Sequence, residues 1–415
     1  HYGDVAVIST QQMTQTLSKD DETYNVTRSV MQMASKFIMP KQVISGADAL
    51  GQSKEVIRTL GTKALVVSGK VMNRIGNVKI VTDLLDEIGI GWAVYDDITG
   101  EPDDVMIDGG VEAYKANGCD FLIAIGGGSP MDSMKAIGAL ITNPGKIADY
   151  MGKEITNPLP PMVAIPTTAG TGSEATQFTI ITDTKTSIKM LLKGTVLIPD
   201  VAIVDASFTV SSPKSVTNAT GLDALTHAVE GYTSKKASPL TDVFAMDAVK
   251  RIFKYLPRAY ADGEDMEARE EMILAALEAG VVINNSSVTL VHGMSRPIGA
   301  NFHVPHGLSN AMLLKVCLTF ALDGTYERFA DLGRAIGAAT EKEDDETAAK
   351  AFLAAIIELC ETLEVPTLAE YGVDKEAFFE VMDKMAEDAI ASGSPGNTRK
   401  TTTKEDVLRM YKELW

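Results

Sequence analysis

From about Lys36 to Ser212 the chain alternates short, uninterrupted apolar runs with stretches of helical spacing. The runs are Ala64-Leu65-Val66-Val67, Trp92-Ala93-Val94-Tyr95, Phe121-Leu122-Ile123-Ala124-Ile125, Met162-Val163-Ala164-Ile165 and Val201-Ala202-Ile203-Val204. Ile80–Ile88, Val105–Ala116 and Pro130–Ile141 carry apolar residues at helical spacing between them. A strand that is apolar at every position buries both faces, and strands joined through helices form a parallel sheet. The pattern therefore predicts a Rossmann-like α/β domain over 30–212, with ligands at the carboxyl ends of its strands. One antiparallel pair is expected, Ile180-Ile181-Thr182 with Ile188-Lys189-Met190, across a polar turn at Asp183–Ser187.

Beyond Val216 the strand pattern stops. Asp242–Leu256, Glu267–Ile283, Leu308–Phe320, Tyr326–Ile336, Glu346–Leu363, Lys375–Ile390 and Lys404–Leu414 carry apolar residues at i, i+3, i+4. Residues 213–415 are thus expected to form an all-helical domain. Residues 1–29, polar from Gln11 to Tyr24, are set aside as a leader or N-terminal arm without the pattern of a secretory signal. A net charge of −18 argues against nucleic acid and anionic membrane as partners. No apolar run approaches the ~20 residues of a membrane span. Three scattered cysteines, Cys119, Cys317 and Cys360, suit a reducing, cytoplasmic compartment.

Two polar loops follow consecutive strands. Gly126-Gly127-Gly128-Ser129-Pro130-Met131-Asp132 allows a phosphate to approach the backbone, and Pro130 suits the start of a helix whose free N–H groups attract an anion. Pro166-Thr167-Thr168-Ala169-Gly170-Thr171-Gly172-Ser173-Glu174 offers hydroxyls to phosphate or ribose oxygens. Together they point to a nucleotide, although neither matches GxGxxG.

The chain has five histidines, and all but His1 fall in two short segments. Asp223 and His227 stand at i, i+4 on a predicted helix, with Glu230 extending the strip. His292 is expected to close a helical stretch from Val281 to Val291, and His303 and His306 to follow in a Gly- and Pro-containing loop. One carboxylate with three imidazoles suits a divalent ion such as Fe²⁺ or Zn²⁺ acting as a Lewis acid. Spacing does not choose between His303 and His306.

The segments Gly221–His227, Val291–Gly299 and Pro305–Gly307, with the two loops, resemble the signatures of the iron-containing, or group III, alcohol dehydrogenases, in the family's order from about Phe37 to the C-terminus. The resemblance implies an active site in the cleft between the two domains, with Asp223, His227, His292 and His306 as metal ligands, so it prefers His306. It also implies cofactor contacts at Gly127, Gly128, Ser129, Thr167, Thr168 and Thr171; Asp132 and Gly69, beside them, join this set. The implied reaction is reversible hydride transfer between a small primary alcohol or aldehyde and NAD(H) or NADP(H), in an enzyme expected to be a symmetric homo-oligomer.

Two departures stand out. Where many members carry a histidine four residues after the first loop ligand, this chain has Arg296, which does not titrate as an ordinary acid–base group. Proton transfer then falls to His303, water or the cofactor ribose, and Arg296 is a candidate holder of an anionic aldehyde. After the first apolar run, where NAD-preferring members commonly have an aspartate, stands Val67-Ser68-Gly69-Lys70; Lys70 could pair with a 2′-phosphate, so NADP(H) is expected to be accepted. A propanediol or lactaldehyde oxidoreductase is the nearest alternative; a sugar-phosphate cyclase-like lyase and a non-catalytic assembly module are the others. Phe178 and Ser392–Asn397 are candidates to shape substrate access.

Overall fold

The computed structural model describes residues 34–415, so the expected arm at 1–29 lies outside the described residues. Six strands form a parallel sheet in the order β1-β8-β5-β4-β2-β3. They are β1 (Gln42–Ser45), β2 (Lys63–Val67), β3 (Gly91–Tyr95), β4 (Phe121–Gly126), β5 (Met162–Pro166) and β8 (Val201–Val204). β6 (Phe178–Asp183) and β7 (Ile188–Lys193) make the expected antiparallel pair.

Alternation along the central strands sorts their side chains onto two faces. Leu65, Val67, Leu122, Ala124, Met162 and Ala164 pack on one face. Ala64, Val66, Phe121, Ile123, Val163 and Ile165 pack on the other. Helices α1 (Asn77–Glu87), α2 (Asp104–Ala116) and α3 (Gly128–Thr142) cover the sheet. Strand β1 escaped the sequence pattern. It is a four-residue edge strand with no buried position, held by its register on β8, so Val43-Ile44 offers too little periodicity to read.

Chain order reverses between β2 and β4. β2 leads outward to β3, and the chain then returns to lay β4 on the other side of β2. Such a reversal opens a crevice at the carboxyl ends of the two strands. The Ser68 hydroxyl, just past β2, donates to the Ile125 carbonyl of β4 at 2.7 Å, and the Thr167 N–H donates to the Gly126 carbonyl at 2.9 Å. These bonds align the ends from which Gly69, the glycine loop and the threonine loop emerge.

Every helix expected beyond Val216 is present, as α5 (Pro239–Ala261), α6 (Met266–Asn285), α8 (His306–Ala321), α9 (Tyr326–Ala335), α10 (Asp345–Thr362), α11 (Lys375–Ala391) and α12 (Lys404–Lys412), and α7 (Leu290–Phe302) is one the spacing did not predict. They surround α4 (Lys214–Thr233), which is buried along nearly its whole length. Its polar strip is not a solvated face: Asp223, His227 and Glu230 all lie inside the protein.

A second correction concerns His292. The stretch Val281–Val291 is two helices, with α6 ending at Asn285 and α7 starting at Leu290 after a bend of 102°. His292 therefore stands in the first turn of α7. The break follows from a tertiary contact, because the buried Glu230 carboxylate accepts the Thr289 and Val291 N–H groups and stands in for the previous turn of helix. Among the described residues no single helix is long and apolar enough to cross a membrane.

Candidate active site

Four side chains from three helices converge. Asp223 and His227 come from adjacent turns of α4, His292 from the start of α7, and His306 is the first residue of α8. His306 thus begins a helix, where the sequence suggested a loop. Gly307 permits the approach. A Cβ there would lie 2.2 Å from the Ala219 carbonyl and 3.2 Å from Asp223 Cβ, so only glycine lets the N-terminus of α8 press against α4.

The ligand-capable atoms all lie within 4.8 Å of one another. Asp223 Oδ1 is 3.5 Å from His227 Nε2, 3.5 Å from His292 Nε2 and 3.7 Å from His306 Nε2. Tetrahedral coordination with bonds of about 2.1 Å puts neighbouring ligand atoms roughly 3.4 Å apart. The donor set and its spacing therefore fit one divalent ion. Three of the four side chains are nearly inaccessible, whereas 45% of the His306 side chain is exposed, so the cluster opens on one side only.

Electrostatics favour the protonation states that coordination needs at three of the ligands, while at His292 burial is outweighed by the Asp223 and Glu230 carboxylates, which raise the imidazole. Burial alone would raise the Asp223 carboxyl, but the surrounding imidazoles of His227, His306 and His292 outweigh it and hold it well below the usual carboxylate range. Burial pushes His227 down to about 4 and so keeps it neutral near pH 7. Desolvation likewise lowers His306, and the neighbouring His292, His227 and Arg296 push the same way.

His292 is set by Glu230. The carboxylate, 1% exposed, accepts from His292 Nδ1 at 2.7 Å, from Thr289 N at 3.0 Å, from Thr289 Oγ1 at 2.8 Å and from Val291 N at 2.6 Å. With Nδ1–H given to Glu230, Nε2 turns its lone pair toward the cluster. Asn310 Nδ2 donates to Asp223 Oδ1 at 2.8 Å and lies 3.2 Å from His292 Nε2 and 3.3 Å from His306 Nε2. Neither Glu230 nor Asn310 was assigned a role from sequence. Their signals were helical spacing: Glu230 is one strip with Asp223 and His227, and Asn310 follows His306 at i+4.

The other sequence candidates fall as follows. Arg296 is one turn beyond His292 on α7; its Nη1 donates to Ser394 Oγ at 3.0 Å, and no carboxylate among the described residues forms an ion pair with it. Ser392–Asn397 does reach this helix, because Pro395 also packs where a Gly293 Cβ would lie, 2.7 Å away. His303 caps α7 in the left-handed conformation (φ 53°), exposed and outside the four-ligand cluster. Gly127 and Gly128 face Thr168 and Thr171 across the strand ends; Cβ atoms built on them would lie 3.4 Å from Thr168 Oγ1 and 3.1 Å from Thr171 Cγ2. Ser129 is in the first turn of α3, and Thr167 is buried behind the loop. Asp132 has both carboxylate oxygens bonded within the protein, to Ser173 Oγ and the Ile180 N–H. Gly69 caps the short helix Lys70–Arg74, and Lys70 Nζ lies 3.0 Å from Asp97 Oδ1. The Phe178 carbonyl accepts from Lys135.

The sheet is tied to the helical half close to this site. Gly172, at φ 63°, passes so near Gly280 of α6 that a Cβ would meet its Cα at 2.4 Å. Gly170 of the same loop lies as close to α4, where its Cβ would meet Thr220 Cβ at 2.5 Å, so the threonine loop rests on the helix that carries Asp223 and His227.

Comparison with known proteins agrees with this geometry. Residues 40–206 match the iron-containing alcohol dehydrogenase family, and residues 217–415 match the C-terminal part of the Fe-containing alcohol dehydrogenase family. The chain is 37% identical to the NAD-dependent methanol dehydrogenase of Bacillus methanolicus, over 92% of this chain and 99% of the relative. The crystal structure of a 1,3-propanediol oxidoreductase superposes with a TM-score of 0.89 at 34% identity, covering 92% of this chain and all of that one. A sulfoacetaldehyde reductase from Bifidobacterium kashiwanohense, solved with NAD⁺, superposes with a TM-score of 0.83 at 30% identity, covering 92% and 99%. The protein belongs to the iron-containing alcohol dehydrogenase family, and its relatives are oxidoreductases of small alcohols and aldehydes.

Proposed function

We propose that this protein interconverts a small primary alcohol and its aldehyde with NAD(H), using one divalent ion held by Asp223, His227, His292 and His306. The observation that carries the reading is the near-equal spacing of three imidazole nitrogens around one carboxylate oxygen, open on a single side. An ion held there, iron by family, would supply Lewis acidity, and a bound nicotinamide would supply the hydride chemistry. The chain's own residues do the rest. Glu230 holds the His292 tautomer, the backbone of Gly127, Gly128 and Ser129 receives the pyrophosphate at the start of α3, and Thr167, Thr168 and Thr171 offer hydroxyls opposite.

For the cofactor we infer NAD(H) over NADP(H). Lys70, which could have met a 2′-phosphate, is engaged by Asp97, and Asp96 adds to the negative field there. For the substrate, Arg296 favours an aldehyde bearing a carboxylate or sulfonate. Its half-buried guanidinium is satisfied only by the neutral Ser394 hydroxyl, so burial lowers its basicity and a substrate anion would restore the missing partner. We expect a symmetric homo-oligomer, measurable by light scattering.

The test is metal analysis of anaerobically purified protein, with NADH and NADPH oxidation over a panel of neutral and acidic short aldehydes. About one ion per chain and chelator-sensitive turnover are expected, faster with NADH. Metal-free protein that stays inert after iron and zinc are restored would overturn the proposal. Arg296→Ala should lose activity on acidic aldehydes by about tenfold more than on neutral ones; equal loss on both refutes the anion role.

A further inference from the structure

A small cavity outside the four-ligand cluster lies among α8, the start of α9 and the segment that follows α11. Its walls include Cys317, Phe329, Thr325, Thr398, Arg399 and Glu230. Three buried polar atoms of these walls have no hydrogen-bond partner in the protein: Thr325 Oγ1, Thr398 Oγ1 and Arg399 Nε. Buried polar atoms are nearly always satisfied, so three around one space point to a bound species that satisfies them together. The two threonines are themselves buried, Thr398 at 5% and Thr325 at 9% exposure. Thr325 is the N-cap of α9, yet its hydroxyl caps no N–H of that helix. The first turn of α9 thus lacks a side-chain cap at the positive end of its dipole.

The charges around the cavity select the species. Arg328 has a matched partner: its Nη1 donates to Asp242 Oδ2 at 2.8 Å, and its guanidinium lies 3.6 Å over the Tyr232 ring. Arg399 does not. Its one ion pair among the described residues is with Glu327, 3.9 Å away and 68% exposed, where water screens the attraction. Burial and the nearby Arg328 guanidinium both lower its basicity. Glu230 also reaches the cavity, but its two oxygens already accept from four donors. What remains is a guanidinium N–H, two hydroxyls and a helix N-terminus, all able to donate. Such a set suits an anion, and the space suits a single particle of about the size of water.

Thr398 and Arg399 close the segment that begins at Ser392. Along it Ser394 Oγ accepts from Arg296, and Pro395 packs against Gly293. Asn397 Nδ2 donates to Ser287 Oγ at 2.6 Å and to the Val288 carbonyl at 3.1 Å. We propose that the cavity binds one small monovalent anion, chloride by size, held by Arg399 Nε and the hydroxyls of Thr398 and Thr325 at the N-terminus of α9, and that the bound anion fastens 392–399 to that helix. The site is separate from the ligand cluster and the cofactor loops, so the inference stands apart from the reading of the reaction.

The experiment uses metal-loaded full-length protein at constant ionic strength in sodium chloride, bromide or gluconate. Tm, amide hydrogen exchange across 392–399 and anomalous diffraction from bromide-soaked crystals are measured for wild type, Arg399→Gln, Thr398→Val and Thr325→Val. With a halide at about ten times its Kd, wild-type Tm should exceed that in gluconate by about 2 °C. Exchange across 392–399 should slow by about tenfold, and a bromide peak should lie within hydrogen-bonding distance of Arg399 Nε. Each variant should lose most of the Tm difference and of the slowing. Should Arg399→Gln not fold, the two threonine variants carry the test, since each removes a hydroxyl that no other protein group uses. Equal Tm and exchange in all three salts, with an ordered water in the cavity, would overturn the proposal. A halide effect that persists in every variant belongs to another site, such as the metal ion, and overturns it too. Bromide bound in the crystal with neither solution effect is an adventitious ion only, and has the same consequence.

Discussion

Replacing Glu230 with glutamine removes one charge and no volume, so its cost can be worked from hydrogen bonds alone. One carboxylate oxygen accepts from Thr289 Oγ1 and Val291 N, the other from Thr289 N and His292 Nδ1. An amide has a single acceptor oxygen, so its NH₂ must face one of these pairs. Facing the first, it opposes the Val291 N–H; facing the second, it opposes the Thr289 N–H and drives His292 toward the tautomer that protonates Nε2. Either way a buried backbone donor is orphaned, at about 1–3 kcal/mol. Loss of the anionic partner on His292 should weaken metal binding by about 10–100-fold. Glu230 is held below its usual pKa, burial being outweighed by His292 and Thr289. Its contribution is therefore present above the unfolded carboxyl pKa and lost as pH falls through the folded one, which makes neutral pH the place to measure. Iron or zinc competed against a chelator of known affinity gives the metal constant, and melting of metal-free protein gives the folding cost. Metal affinity within about twofold of wild type and an unchanged metal-free Tm would refute the argument.

Gly307→Ala should separate α4 from α8, because the new methyl would sit 2.2 Å from the Ala219 carbonyl. A loss of about 1–3 kcal/mol with metal content well below wild type is expected, and full metal loading would contradict it. Glu174→Gln should change the pH dependence of stability. Burial raises Glu174 to about 7, so its favourable contribution is complete below the unfolded carboxyl pKa and is lost as pH rises through about 7. The variant should gain on wild type between pH 5 and 8, by at most roughly 3 kcal/mol, and parallel stability profiles would count against it. Chelation should lower Tm as well as activity, since an ion bound at about 1,000 times its Kd adds roughly 4 kcal/mol; a chelator that stops turnover without moving Tm would place the ion elsewhere.

Much of this was legible in the chain because the informative signals are local. The central strands are almost wholly apolar, and two loops of unusual composition follow consecutive ones. The helical half was read almost helix by helix, because each helix buries one face and so keeps its period. What was missed is tertiary. Strand β1 exists by pairing with β8. The break before α7 exists because Glu230 caps it from another helix. The burial of the polar strip of α4 left no mark on the sequence, since the pattern of Asp223, His227 and Glu230 is the same whether water or protein lies opposite.

By itself the sequence determined the class of sheet, the helical second half, and the residue types able to hold a divalent ion, because periodicity and ligand chemistry are properties of neighbouring residues. Only the tertiary structure decided that the His306 imidazole joins the cluster while His303 stays outside, that Glu230 orients His292, that Lys70 is already engaged by Asp97, and that Asp132 and Lys135 bind α3 to the threonine loop and β6. Each of these depends on which helix ends meet. That meeting is set by close backbone approaches, at Gly307 on Ala219 and at Gly172 on Gly280, between residues far apart in the chain.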